Sequence, residues 1–336
     1  MTPPLVHVLV INWNGMEHVE ECFSSLLATT YSNVRFVLVD NASTDGSPEF
    51  VQEHFGHDSR VEFLRLPENR GWSGGNNAGI ERALEAGADY VLLLNNDTWV
   101  APSAVEMLVR AGEAYPGTGA FAPKMLLYDN PRLINSMGIE CSIIGVGWDL
   151  GLGQPDGPKW DVPRQVLGVC GGAAFFRTSI LRKTGLLPTD FEIYLDDLDL
   201  CLRIWDLGSE VWTCPGAVVR HKFSATMGKG KRARRKYYLN TRNRMRLMLR
   251  HFPRRRAAAI LAAFAHGEAK ALGRAMLDRQ LWKILAHLRA WISSLLYIPA
   301  ARRMRRIWRD KGMGNCRFWP LVRTDCLFPQ NIRMPK

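Results

Sequence analysis

The stretch Tyr90-Val91-Leu92-Leu93-Leu94-Asn95-Asn96-Asp97 governs how the rest of the chain is read. Its apolar run stops abruptly at two amides and a carboxylate, which is the pattern of a strand buried on both faces of a parallel sheet. In open α/β sheets, ligands bind beyond the carboxyl ends of the strands, so Asp97 is aimed where chemistry sits. A carboxylate on a rigid strand end suits a hard divalent cation holding a diphosphate. Asn-Asn-Asp also suits an ordinary turn. The other strand ends decide between the two readings.

Working outward, residues 6–11 form a first apolar strand followed at once by Asn12-Trp13-Asn14-Gly15. A helix is expected over about 17–27, with Val19, Cys22, Phe23, Leu26 and Leu27 on one face. Residues 34–39 are a second strand ending in Asp40-Asn41-Ala42-Ser43-Thr44-Asp45-Gly46-Ser47, with Ser47 read as the cap of the next helix and Pro48 at its first position. A third strand over 61–66, a loop to Gly75 and a helix from about Asn76 to 86 lead into the strand at 90–94. Strands and helices alternating at this spacing predict an α/β fold with a parallel, doubly wound sheet. Right-handed crossovers then bring the polar clusters 12–14, 40–45, 69–77 and 95–97 to one rim, where a nucleotide pocket is expected. The chain has neither GxGxxG nor GxxxxGK[ST], which argues against a dinucleotide oxidoreductase and a P-loop enzyme.

Residues 125–165 are rich in Gly, Pro and Asp, and read as a long mobile loop over the site that carries acceptor selectivity. Strand character returns over 166–176, with Gly171-Gly172 as a point of close approach. Next comes a second acidic focus, Asp196-Asp197-Leu198-Asp199, at the start of a helix marked by Leu198, Cys201, Leu202 and Trp205. Acids at a helix N-terminus are favoured by the dipole, but three within four residues repel one another. One of them is therefore read as a general base. A further short strand over 210–214 and a Pro215-Gly216 turn lead to Val218-Val219-Arg220-His221; a lone histidine is more often structural than a ligand.

The net charge of +12 hides a division. Residues 1–228 carry 16 Lys/Arg against 28 Asp/Glu, and residues 229–336 carry 28 against 4. Such asymmetry points to a polyanion or an anionic membrane as partner of the tail. The seven cysteines show no CxxC pair and read as free thiols in a reducing compartment. The apolar run at 5–11 lacks a basic flank and reads as a strand, not a signal peptide. No uninterrupted apolar run reaches the roughly 18 residues of a membrane span. A cytosolic protein is expected.

In order and spacing these motifs resemble the family-2 inverting glycosyltransferases, over about residues 5–226. The motifs are residues 10–15, 39–47, Asn69-Arg70-Gly71 with residues 74–79, Leu94-Asn95-Asn96-Asp97, residues 194–201 and His221. Within the family the chain looks most like bacterial rhamnosyltransferases that use dTDP-rhamnose to build cell-surface polysaccharide. The resemblance implies a GT-A type nucleotide-sugar-binding fold with a mostly parallel central sheet. It also implies that Trp13 stacks on a pyrimidine base and that Asp40 accepts the base N–H. Asn12, Asn69, Gly71, Asn76 and Asn95 complete the donor set. Asp97 and His221 would hold Mg²⁺ or Mn²⁺ against the donor diphosphate, and Asp197 would deprotonate the acceptor hydroxyl. Asp196 and Asp199 would support the base or bind the acceptor. The family's metal motif usually reads Asp-x-Asp, and here Asn95 stands first; the acidic pair, usually Glu-Asp, is Asp196-Asp197.

These readings divide the chain into a catalytic domain, residues 1–227, and a basic amphipathic helical region, 228–336. In the latter, Leu277, Leu281, Ile284, Leu285, Leu288, Trp291, Ile292 and Leu295 recur at helical spacing among Lys and Arg. The expectation is a peripheral enzyme on the inner face of a membrane, moving a sugar from a dTDP- or UDP-linked donor to a glycan or lipid-linked acceptor. No nucleic-acid reader motif is present, and the oligomeric state is left open, a homodimer included. Rival readings are a UDP-hexose or UDP-N-acetylhexosamine donor, an inactive scaffold recruited by its tail, and a tail whose helices simply pack on the catalytic domain.

Overall fold

The computed structural model describes residues 2–222 and 231–328. The boundary expected at 227/228 lies outside the described residues. Strands β1 (Val6–Asn12), β2 (Val34–Asp40), β3 (Val61–Arg65) and β4 (Tyr90–Asn95) are joined by helices α1 (Met16–Leu27), α2 (Ser47–Phe55) and α3 (Gly71–Glu85). They pair in the order β3-β2-β1-β4, all parallel, in a register that sets Asn12 beside Asp40 and Ile11 beside Asn95. The three strand-end motifs therefore meet on one rim, as expected. Helix α2 begins at Ser47 with Pro48 in its first turn, but its cap is Gly46. The Asp45 carboxylate instead accepts the Ser47 N–H at 3.1 Å and, from across the rim, the Met16 N–H at 2.9 Å. One side chain thus serves two orphaned helix starts.

Beyond β4 the sheet is mixed. β5 (Thr98–Val100) and α4 (Ala104–Ala114) lead to β6 (Thr118–Leu127), and β10 (Ala173–Arg177) runs antiparallel to both β4 and β6. β11 (Glu210–His221) runs parallel to β6 and antiparallel to β5, with a register shift between Cys214 and Val218 at the Pro215-Gly216 step. The short strand and turn expected there belong to one bent strand that runs on to His221. Helices α5 (Thr178–Thr184) and α6 (Asp196–Asp206) cover the same face as α3.

The segment 125–165 is not a mobile loop. It folds into β7 (Ile134–Ser136), β8 (Ile139–Cys141) and β9 (Gly147–Asp149). Ile134, Met137 and Trp160 form a buried cluster with Leu126. Lys124, itself buried, ties Asp156 at 2.9 Å and Asp161 at 2.5 Å to the sheet. Strands of three residues carry too little period to be read from sequence.

The basic region forms α7 (Lys231–His251), α8 (Ala257–Leu277) and α9 (Leu281–Asp310). It packs on the α/β part: Leu247, Phe252, Ile260, Cys316, Phe318 and Trp319 join the core beside α6. Its arginines are in part internal ligands. Arg244 pairs with Glu268 and Arg250 with Asp190 and Asp199, and both arginines are buried. Helix α9 divides its apolar residues. Trp291 turns inward and donates to Glu268 at 2.6 Å, while Leu281, Leu285, Leu288, Ile292 and Leu295 are exposed. One 18-residue window of α9, 28% buried, has mean hydropathy 1.3, so by length and composition this helix could cross a membrane. All seven cysteines are free, as expected.

Candidate functional site

On the donor side the rim is tied together by amides. Asn12 is fully buried; its Nδ2 donates to Ser47 Oγ at 2.8 Å, Ser43 Oγ at 3.1 Å and Asp40 Oδ1 at 3.3 Å. Its Oδ1 accepts from Asn96 Nδ2 at 2.7 Å. With every polar atom engaged inside the protein, Asn12 is a brace between strand ends, not the donor ligand expected. Asp40 is buried beside it and also accepts the Ser43 N–H at 3.3 Å. Trp13 is 53% exposed and offers an open indole face above them.

Asn41, which sequence reading did not single out, closes the next loop. It donates to Asn69 Oδ1 at 3.1 Å and to the Gly71 carbonyl at 3.0 Å, and accepts the Arg70 N–H at 2.8 Å. Gly71 has φ +70°, a conformation that costs a side-chain-bearing residue about 1 kcal/mol or more. Asn76 is buried and donates to the Trp72 carbonyl at 2.9 Å, while its Oδ1 has no partner among the described residues. Asn95 accepts from Trp72 Nε1 at 3.0 Å, which fixes the indole over Gly171. A neutral amide at this position thus has a clear structural task.

Asp97 and His221 meet as the motifs imply. His221 Nε2 lies 3.3 Å from Asp97 Oδ1, yet that buried oxygen has no aligned hydrogen bond among the described residues. An unsatisfied buried carboxylate oxygen costs free energy unless something else reaches it. On the far side of the ring, Nδ1 bonds to Asn135 Oδ1 at 2.8 Å, the kind of partner that fixes the tautomer of a ligating histidine. Asn135, on β7, was hidden in the supposed loop. The pair therefore fits a divalent cation. Among the described residues no group of three or more His, Cys, Asp or Glu is arranged as a metal site. A cation here would draw its remaining ligands from phosphate and water, as Mg²⁺ commonly does.

Gly171 and Gly172 join this pair to the acidic helix. A Cβ on Gly172 would stand 2.9 Å from the Met125 methyl and 3.5 Å from His221, and one on Gly171 would stand 2.6 Å from the Trp72 ring. Only glycine permits that approach. The Gly171 N–H donates to Asp197 Oδ2 at 2.9 Å, and the Leu198 N–H donates to its Oδ1 at 2.7 Å. Asp197 stays half-buried and facing the rim, whereas Asp196 is buried and accepts from Ser73 Oγ. Burial, followed by the charge of Asp196, holds the Asp197 carboxyl well above the ordinary carboxylate range, and burial raises Asp196 as well. Asp149, on β9, adds a third carboxyl, bonded to Ser136 and Cys170 and raised by burial. Sequence reading missed it for the same reason as Asn135.

Asp199 points the other way. It is fully buried and bonded to Arg203 Nε at 3.1 Å, Arg250 Nη1 at 3.0 Å and His251 Nε2 at 2.8 Å. Despite its burial, the charges of Arg250, His251 and Arg203 hold its carboxyl far below the usual range. It anchors α7 to α6 and is closed to an acceptor, which corrects the role expected of it.

The segment that delivers Asp196 and Asp197 is strained. Glu192, Tyr194 and Leu195 have φ of +68°, +73° and +65°, each costing about 1–3 kcal/mol for a residue with a Cβ. Asn243 on α7 clamps it: Nδ2 donates to the carbonyls of Phe191 and Ile193 at 2.9 Å and of Tyr194 at 3.0 Å. Arg242 adds bonds to the Phe191 carbonyl at 2.9 Å and to Glu192 Oε1 at 2.8 Å. The Arg-Asn pair in the basic region therefore braces the acidic site.

A parallel half-sheet with a polar rim, closed by an antiparallel strand and an acidic helix, is the GT-A arrangement of glycosyltransferases. Residues 7–185 match the family model described as glycosyl transferase family 2, and the chain belongs to that family of enzymes. It is 25% identical to the N-acetylglucosaminyl-diphospho-decaprenol L-rhamnosyltransferase of Mycobacterium tuberculosis, over 65% of this chain and 76% of that one. It is 29% identical to the putative glycosyltransferase EpsH of Bacillus subtilis, over 33% of this chain and 31% of that one. The match thus spans most of the first relative and under a third of the second. Among solved structures, S. aureus TarS 1–349 superposes with a TM-score of 0.59 at 15% identity, covering 93% of this chain and 89% of that one. The Pyrobaculum calidifontis mannosyltransferase PcManGT, in complex with GDP-Man and Mn²⁺, gives 0.54 at 19%, covering 88% and 87%. At these identities the likeness is one of fold.

Proposed function

We propose that the chain is an inverting glycosyltransferase that moves L-rhamnose from dTDP-rhamnose to a lipid-linked glycan at the inner face of a membrane. The observation that carries this reading is the placement beside His221 of an Asp97 oxygen with no hydrogen bond among the described residues, across two glycines from a carboxyl of raised pKa. The choice of rhamnose and of a polyprenol-linked acceptor is supported by the printed name of the mycobacterial relative. Peripheral membrane association is supported by the basic excess of residues 229–336 and the exposed leucines of α9.

Trp13 stacks on the pyrimidine, and Asp40 has carboxylate lone pairs beyond its two internal bonds to accept the base N–H. Asp97 and His221 would hold Mg²⁺ or Mn²⁺, which would supply positive charge to offset that of the departing diphosphate. Asp197 takes the proton of the acceptor hydroxyl. The acceptor oxygen then forms a bond to the anomeric carbon from the face opposite the diphosphate, and the bond from that carbon to the diphosphate oxygen breaks. One proton passes to Asp197 and the electron pair leaves with the nucleoside diphosphate. Asp196 and Asn243 are positioning residues.

The reading is tested by release of nucleoside diphosphate from a panel of dTDP- and UDP-sugars, with Mg²⁺ or Mn²⁺ and then with chelator. Chelator-sensitive turnover of dTDP-rhamnose is expected. Turnover of a UDP-sugar alone would reassign the donor, and no turnover of any would leave a scaffold. Asn243→Ala is expected to lower kcat about tenfold or more, since three bonds worth about 1 kcal/mol each hold the strained segment. The KM for donor should change little, and the pH limb of kcat should move. An unchanged pH profile would reduce Asn243 to a purely structural brace.

A further inference from the structure

We infer that the cleft between α7 and α9 binds the diphosphate head and the first part of the hydrocarbon chain of a lipid-linked acceptor. This rests on the acceptor class proposed above, and it places that acceptor on residues outside the family-2 match. Two cavities of about 440 and 460 Å³ lie in the cleft and share Tyr238 and Arg289. One is lined also by Arg234, Arg235 and Leu285, the other by Arg246, Ile292 and Leu296.

The cations are only partly neutralised. Arg235 pairs with Glu192 at 2.6 Å, and Arg246 pairs with the Asp190 carboxylate at 3.7 Å and donates to the Asp190 carbonyl at 2.7 Å. The Nε of Arg246 is buried without a hydrogen-bond partner. Arg289 and Arg234 sit over the rings of Tyr238 and Trp282, at 5.0 and 5.7 Å, with no carboxylate partner among the described residues. Guanidinium groups gathered this way suit a phosphate or diphosphate, which they bind bidentately.

The α9 wall is apolar on either side of Arg289. Leu285, Ile292 and Leu296 are 60%, 59% and 78% exposed. With Leu281, Leu288 and Leu295 they make a stripe on α9 that runs about 22 Å, at 1.5 Å per residue. A free phosphate would have no use for that wall, and a bilayer surface does not enter a cleft between two helices. An ester of diphosphate with a long-chain alcohol uses both.

The cleft is joined to the acidic helix through one of its lining residues. Glu192 lines it and begins the strained segment that ends at Asp196. Lys236, next to Arg235 in sequence, lies 5.4 Å from the Tyr194 ring and interacts electrostatically with Asp149. A diphosphate held by Arg234, Arg235 and Arg289 leaves its attached sugar on the side of Asp197.

The test is equilibrium binding of farnesyl diphosphate to the full chain, in chelator and with saturating UDP so that the donor pocket does not compete. Binding is expected, with inorganic pyrophosphate and farnesol each at least about tenfold weaker. The Arg234→Ala/Arg289→Ala variant and the Leu285→Ser/Leu296→Ser variant should each weaken binding at least about tenfold and leave UDP affinity, measured separately, unchanged. The inference is overturned if both variants bind farnesyl diphosphate like the parent, if pyrophosphate binds equally well, or if only phosphatidylglycerol vesicles bind. Retained farnesyl diphosphate binding with no turnover of any sugar donor would sink the transferase reading and leave the cleft assignment standing.

Discussion

Asp197→Asn is expected to lower sugar transfer about 10²–10⁴-fold, the usual contribution of a positioned general base, with donor affinity within about twofold of the parent. The amide keeps the shape but has one oxygen for the two backbone N–H groups, of Gly171 and Leu198, that Asp197 accepts, so an unchanged melting temperature and donor affinity are the readouts that assign the loss to proton transfer and not folding. The pH profile carries the second half of the argument. Asp197 is held above the ordinary carboxylate range by burial and then by Asp196. A base works only when deprotonated. kcat should therefore rise with pH along a limb well above about pH 4, where an unperturbed aspartate titrates, and level off beyond it. The groups facing this carboxyl are Asp196 on its own helix, Asp149 on β9 and the Cys170 thiol, with Lys236 and His221 acting through Asp149. Asp196→Asn removes a negative neighbour and favours the anion, so the limb should shift to lower pH. A limb that stays in place in Asp196→Asn, or an Asp197→Asn enzyme with parental turnover, would remove Asp197 from the base role.

What could be read from the sequence was whatever a strand end presents. Asp40, Asp97 and His221 lie far apart in the chain, yet Asp40 and His221 end strands and Asp97 follows the end of β4, and parallel topology with right-handed crossovers brings such ends to one rim. What could not be read was the direction in which each polar atom is used. Asn12 sits on the rim but spends its amide on Ser43, Ser47, Asp40 and Asn96. Asp196, Asp197 and Asp199 look equivalent in sequence. Which of them is neutralised depends on Arg250 and His251, about fifty positions later. Asn135 and Asp149 belong to three-residue strands that leave no periodic trace. The charge division misled most usefully. Twenty-eight basic residues against four acids after residue 228 suggest a purely external partner, but Arg242, Arg244 and Arg250 are buried and engage Glu192, Glu268, Asp190 and Asp199. Part of the asymmetry is complementarity between the two regions of one chain. Arg234 and Arg289, without carboxylate partners among the described residues, are two of the basic residues left to face a ligand.

Asp97→Ala is expected to abolish cation binding at this site and to lower metal-dependent turnover at least about 10²-fold, the loss of one of only two protein ligands. The prediction does not depend on turnover alone. Mn²⁺ binding followed by electron paramagnetic resonance, with UDP present to supply phosphate oxygens, should be tight in the parent and absent in Asp97→Ala. His221→Ala should behave alike. Asn135→Ala should bind about 10–100-fold more weakly, as expected when the partner that orients a ligating imidazole is removed, because His221 Nδ1 loses its 2.8 Å contact and the ring its fixed direction. The same series bears on the buried oxygen of Asp97 that lacks a bonded partner. If it is kept for a cation, removing it should relieve an unsatisfied group, and the folded stability of Asp97→Ala without metal should match or exceed that of the parent. Added Mn²⁺ and UDP should then raise the melting temperature of the parent and leave the variant where it was. Equal Mn²⁺ affinity in parent and Asp97→Ala would show that Asp97 and His221 are only a structural pair, and that the charge on the departing diphosphate is met by other residues.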